Sequence, residues 1–74
     1  MNKELRTKDL YLAAFLYLKT KFDRVDREGK TCWFVFNNDS NINDLVNEFW
    51  FGEALCSAKA YANSIRTLKD IIFA

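Results

Sequence analysis

The sequence predicts an α+β domain of order α-β-β-α-α, in which a two-stranded antiparallel hairpin packs with three helices. Three observations carry that prediction. The run 10-LYLAAFLYL-18 is built largely from helix formers. The stretch 32-CWFVF-36 is aromatic and β-branched and follows a glycine turn, as strands do. Two later segments, from Ile42 and from about Ala54, repeat apolar residues at helical spacing. The 74 residues suit one small domain spanning 1–74. Residues 1–6 precede the first periodic segment and are expected to form a loose N-terminal segment.

The first helix is expected to begin with Thr7 as N-cap and Asp9 in the first turn, where the helix dipole favours an acid. Leu10, Ala14, Tyr17 and Leu18 share one side, and Leu12 and Leu16 lie roughly opposite. A helix this apolar all round is buried on more than one side. A turn near Lys19–Lys21 leads into the hairpin 22-FDRVDREGKTCWFVFN-37. Trp33 and Val35 alternate with Cys32, Phe34 and Phe36, and Gly29 supplies positive φ in the connecting turn. Phe22 and Val25 are three apart, which a bulge or a short first strand reconciles.

Ser40 or Asn41 is the expected cap of the second helix. Ile42, Leu45, Val46, Phe49 and Trp50 follow the i, i+3, i+4, i+7, i+8 rule, and Gly52 is the natural stop. Phe51 points away from the core if the helix continues to it, unless a left-handed cap at Gly52 swings it inward. The third helix starts near Ala54–Ser57 and runs to about Ile72. Its expected stripe is Ala58, Tyr61, Ala62, Ile65, Leu68 and Ile72, with Lys59, Asn63, Arg66 and Asp70 outside. A lone two-stranded hairpin is weak and has two open edges, so pairing with a second copy into a four-stranded sheet is expected. A homodimer or higher oligomer follows.

Composition excludes several function classes. There is no His, which removes the commonest general base and neutral metal ligand. Cys32 and Cys56 are far apart and read as reduced structural thiols, so no metal site is expected. Asp39, Asp44 and Glu48 form an acidic group that reads as a solvated helix start. Two glycines do not make a phosphate loop. No enzyme activity and no cofactor are expected. The longest apolar run, Leu10 to Leu18, is far short of the roughly 20 residues that span a membrane. A cytoplasmic, non-membrane protein is therefore expected.

Net charge is +1, unevenly placed. Residues 1–30 hold eight bases against five acids, residues 31–53 hold four acids and no base, and residues 54–74 hold three bases against one acid. Such a polarised, near-neutral chain fits a protein partner better than general nucleic-acid binding. The seven Phe, three Tyr and two Trp exceed what one small core easily hides. Tyr11, Tyr17, Trp33, Trp50 and Phe51 are the candidates for a partner-binding surface, since aromatics build interface hot spots. Lys19, Lys21, Arg24, Arg27 and Lys30 are the alternative, a nucleic-acid surface, although Asp23, Asp26 and Glu28 interleave with them. A nucleotide-like ligand held in an aromatic pocket between subunits is a further alternative.

The stretches 7-TKDLYLAAFLYLK-19, 28-EGKTCWFVF-36 and 49-FWFGEALCSAKAYANSIRTLKDIIF-73 resemble a small bacterial and mobile-element family labelled a domain of unknown function, number 5659. The matching features are the Thr7–Asp9–Leu10 start, the aromatic strand and the Gly52-Glu53-Ala54-Leu55 turn. The resemblance implies a one-domain protein in a phage, plasmid or prophage setting. It implies no activity, cofactor or partner, and no functional residue is carried over from it. The leading expectation is a non-catalytic module that self-associates and engages another protein, as a phage or mobile-element accessory or anti-defence protein does.

Overall fold

The computed structural model describes residues 4–37, 42–52 and 54–73. Along them run β1 (Glu4–Thr7), α1 (Leu10–Lys19), β2 (Phe22–Glu28), β3 (Thr31–Asn37), α2 (Ile42–Trp50) and α3 (Ala58–Phe73). The sheet is antiparallel with strand order β1-β3-β2. The fold class is α+β, with order β-α-β-β-α-α. The expected two-stranded hairpin is therefore corrected to three strands, because β1 pairs with the far edge of β3. The expected loose leader is corrected too: from Glu4 onward it is strand. β1 escapes a periodicity reading because Leu5 is its one large apolar residue, and its pairing partner lies about thirty residues on.

Directly paired residues share a sheet face. Leu5 and Phe22 lie opposite Phe36, and Thr7 and Val25 lie opposite Phe34. These make the inner face, which packs on α1. The register slips by one between Phe22 and Arg24, so Asp23 is the extra residue of a β-bulge. That is the irregularity foreseen from the spacing of Phe22 and Val25. Gly29 opens the two-residue turn with φ of 61°, while Lys30 keeps negative φ, as a II′ hairpin requires.

Asp9, rather than Thr7, caps α1. Its carboxylate accepts from the Tyr11 and Leu12 amides at 2.9 and 3.2 Å. Thr7 acts one step earlier, its Oγ1 accepting from the Asp9 amide at 3.1 Å. Leu12, Ala13, Ala14, Phe15 and Leu16 are all buried, as an all-round apolar helix demands. The chain itself supplies the cover: the sheet lies on one side of α1, and α2 and α3 lie on the others. Ile42 and Leu68 complete the core beside Phe34 and Phe36. The cap expected at Ser40 or Asn41 lies outside the described residues.

α3 is capped by Ser57, whose Oγ accepts from the Ala60 amide at 3.2 Å. Ser64 and Leu68 are its buried residues, flanked by half-buried Tyr61, Ile65 and Ile72, while Ala58 and Ala62 are exposed. The expected stripe is thus rotated towards Ser64. The reason is close approach. Ala13, Ala14 and Ser64 are small, and the Ser64 hydroxyl donates to the Ala14 carbonyl at 2.7 Å. The hydrogen bond removes the penalty of burying a hydroxyl.

Candidate functional site

The outer face of the sheet carries most of the charge. Arg6 and Arg24 lie opposite Val35 from either side, and Asp26 lies opposite Trp33. Arg24 reaches Glu4 at 2.8 Å and Asp26 at 2.9 Å, and it also pairs with Asp23. Arg6 lies 3.8 Å from Asp26 and 3.6 Å from Glu28. Val35 is fully buried on the face that these side chains share. Long charged side chains shield apolar surface in this way, keeping their heads in water. The Arg24 hydrogen bond holds the Glu4 carboxyl below its ordinary value, and Glu4 and Asp26 push the Arg24 guanidinium upward.

The five bases expected to form a nucleic-acid surface are placed differently from one another. Arg24 is engaged by three carboxylates. Arg27 turns to the inner face and donates to the carbonyls of Ile71 and Ile72 at 3.5 and 2.6 Å, capping the end of α3. Lys19 leans on the Phe15 ring, 5.7 Å from its centroid. Lys19 and Lys21 precede β2 and Lys30 follows it. The seven residues of β2 separate them by about 23 Å at 3.3 Å per residue. The five bases do not converge on one patch. On the outer face, four carboxylates surround two guanidiniums, which disfavours phosphate.

The five partner-binding aromatics divide in two. Trp33 is half-buried, with the Arg6 guanidinium 5.2 Å and the Lys8 ammonium 6.0 Å from its ring centroid. Tyr17 is half-buried and meets Phe22 edge-on at 5.6 Å. Phe22 in turn meets Phe36 at 5.4 Å, so Tyr17 extends the inner aromatic cluster. The other three are open. Tyr11 is 60% exposed, Trp50 58% and Phe51 77%.

The geometry around Gly52 explains why Phe51 stays out. The Phe51 amide still donates to Asn47 at 2.9 Å, as in a continuing helix. Gly52 then takes φ of 78° and donates to Phe49 at 3.4 Å. The left-handed residue comes after Phe51, so it redirects the following chain and leaves the Phe51 ring on the outward side. Phe49 faces inward, 5.9 Å from Phe15, and Trp50 stands edge-on to it at 5.2 Å. Leu55, just beyond the turn, is 81% exposed. The corner between α2 and α3 therefore presents Trp50, Phe51 and Leu55 together in sequence, each largely in water. Leu55 was missed because it reads as the first apolar residue of a helix that in fact starts later, at Ala58.

Tyr11 lies beside the start of α3. The Tyr61 hydroxyl donates to the Tyr11 carbonyl at 2.9 Å, and burial pushes the Tyr61 phenol up from its ordinary value. Cys32 and Cys56 are both free thiols. Arg27 approaches the Cys32 sulfur at 3.7 Å, and Cys56 is exposed. Asp44 is exposed and Glu48 half-buried on α2, and Asp39 lies outside the described residues. Among the described residues no group of three or more acids and thiols is placed to hold a metal ion. An open groove of about 380 Å³ lies between the hairpin turn at Lys30 and Thr31, Leu10 of α1 and Ile72 and Phe73 of α3. None of the five candidate aromatics lines it. No helix among the described residues is long and apolar enough to cross a membrane.

No curated protein and no solved structure matches the chain. The sequence profile described as Domain of unknown function (DUF5659) matches residues 2–74, nearly the full length, and the chain belongs to that family.

Proposed function

We propose that this chain is a non-catalytic binding module that self-associates and engages another protein through the α2–α3 corner. One observation carries the reading: Trp50, Phe51 and Leu55 are 58, 77 and 81% exposed within a short stretch around Gly52. Fully burying one large apolar side chain contributes about 1.5–3 kcal/mol, and side-chain ordering on binding offsets part of that. Trp50 is of the type most enriched in interface hot spots, and Phe51 and Leu55 add exposed apolar area close to it in sequence. The setting in a phage or other mobile element, as an accessory or anti-defence protein, accompanies this reading through the family resemblance. The test compares wild type with Phe51→Ser and Leu55→Ser. Recovery of a protein partner from the native host should fall at least tenfold while the melting temperature holds. Unchanged recovery by the double variant would sink the proposal.

A further inference from the structure

We propose that a second copy of this chain adds to the open edge of β2, across a two-fold axis at Val25, extending three strands to six. The proposal rests on the self-association just described and names its surface. β2 pairs with β3 on one side only, and among the described residues no strand covers the other. It has seven residues, against four in the opposite edge strand β1, so it offers the longer ladder. Native edge strands are usually guarded by Pro, by like charges or by bulges. β2 contains no Pro, its bulge at Asp23 guards only the end before Arg24, and its charges beyond the bulge do not act as a guard against its own copy.

The segment 23-DRVDR-27 reverses sign about its centre. Antiparallel self-pairing about Val25 sets Arg24 opposite Asp26 of the second copy, Asp26 opposite Arg24, and Val25 opposite itself. The faces agree as well. Arg24 and Asp26 both lie on the outer face, opposite Val35 and Trp33, and Val25 lies on the inner face opposite Phe34. Opposite charges directly across antiparallel strands attract, and like charges repel. Moving the axis to Arg24 sets arginine against arginine, and moving it to Asp26 sets acid against acid. Arg24 and Asp26 keep their pairs within the chain, and the Val25 axis is the one among these that sets no like charges opposite each other. A two-fold contact also closes on itself, so it makes a dimer rather than a fibre.

The bulge at Asp23 restricts the regular ladder to the stretch around Arg24–Asp26. Dimerisation is therefore concentration-dependent. The α2–α3 corner is built from other elements and stays available for a different protein.

The test is light scattering across a concentration series, joined to amide hydrogen exchange at the two extremes. The expected mass rises from 8.7 kDa towards twice that value, with new protection in β2. Arg24→Asp should weaken the dimer at least tenfold, and the charge-swapped double variant Arg24→Asp, Asp26→Arg should restore it. Circular dichroism checks that both variants fold. If either does not, the wild-type protection map decides alone. A mass fixed at 8.7 kDa to millimolar concentration overturns the proposal but leaves partner capture by Phe51 standing. A dimer whose new protection falls on Trp50 to Leu55 and disappears in Phe51→Ser also overturns the proposal, and assigns self-association to the corner instead.

Discussion

Ser64 of α3 is buried and hydrogen-bonded to the backbone of α1, and two substitutions there separate packing from hydrogen bonding. In Ser64→Ala the hydroxyl that donates to Ala14 at 2.7 Å is lost. A net hydrogen bond contributes about 1 kcal/mol. Ala14 lies mid-helix and keeps its intrahelical bond, so no carbonyl is orphaned. Alanine also gains up to about half a kcal/mol of helix propensity over serine. The expected net loss is therefore about 0.5 kcal/mol, or about 2–4 °C of melting temperature for a domain this size. Ser64→Leu is different. Ser64 is 3% exposed and its hydroxyl touches the backbone of α1, so a branched side chain there must displace packed atoms. Overpacking costs about 1–3 kcal/mol and sometimes more. A chain of 74 residues holds about 4–11 kcal/mol in total, so this is a large share of its stability. Thermal melts followed by circular dichroism, with urea titration alongside, measure both. A Ser64→Leu protein that melts within 2 °C of wild type would refute close packing of the two helices.

Other consequences follow from named contacts. Leu68→Ala should cost about 2–5 kcal/mol, since Leu68 is fully buried beside α1, and urea unfolding reads the loss. Gly52→Ala should cost about 1–2 kcal/mol from backbone alone, because φ is 78° and no atom lies within 4 Å of the added methyl. A Gly52→Ala protein as stable as wild type would remove the left-handed cap from the account. Glu4 is held below its ordinary 4.5 by Arg24, so its stabilising contribution is complete above that value and is lost as pH falls through the lowered one. Amide exchange in β1 should therefore accelerate on acidification in wild type, and less so in Glu4→Gln. Arg27→Gln should fray the end of α3, where Arg27 now caps Ile71 and Ile72, and exchange at the last turn measures it.

The elements that the sequence announced are those whose signal is local. α1 reads from helix formers, α2 from its apolar spacing, and β3 from aromatic alternation. β1 was hidden because a four-residue strand with one apolar residue acquires its identity from β3, a distant partner. Ser64 was hidden because hydropathy marks a serine as outward, whereas packing rewards its small size. Among the candidate surface residues, the interleaved acids already pointed to pairing of Arg24, whereas the partners Glu4 for Arg24 and the end of α3 for Arg27 are distant in sequence. Arg24 is locked by Glu4, Asp23 and Asp26, and Arg27 by the end of α3. Trp33 looked open because the bases stacked on it, Arg6 and Lys8, come from the strand and turn that were not foreseen. Phe51 was legible in principle. Helical direction pointed it outward, and only the order of Phe51 and Gly52 at the cap decided the matter.

The central claim is that the α2–α3 corner contacts another protein. Site-specific photo-crosslinking tests it most directly, with a photoreactive phenylalanine analogue placed at Phe51 and, in a parallel protein, at Arg66 on the exposed side of α3. Both proteins are irradiated in cells of the native host. The prediction is a discrete protein adduct from position 51 and none from position 66. No adduct at 51, or the same adducts from both positions, would contradict it.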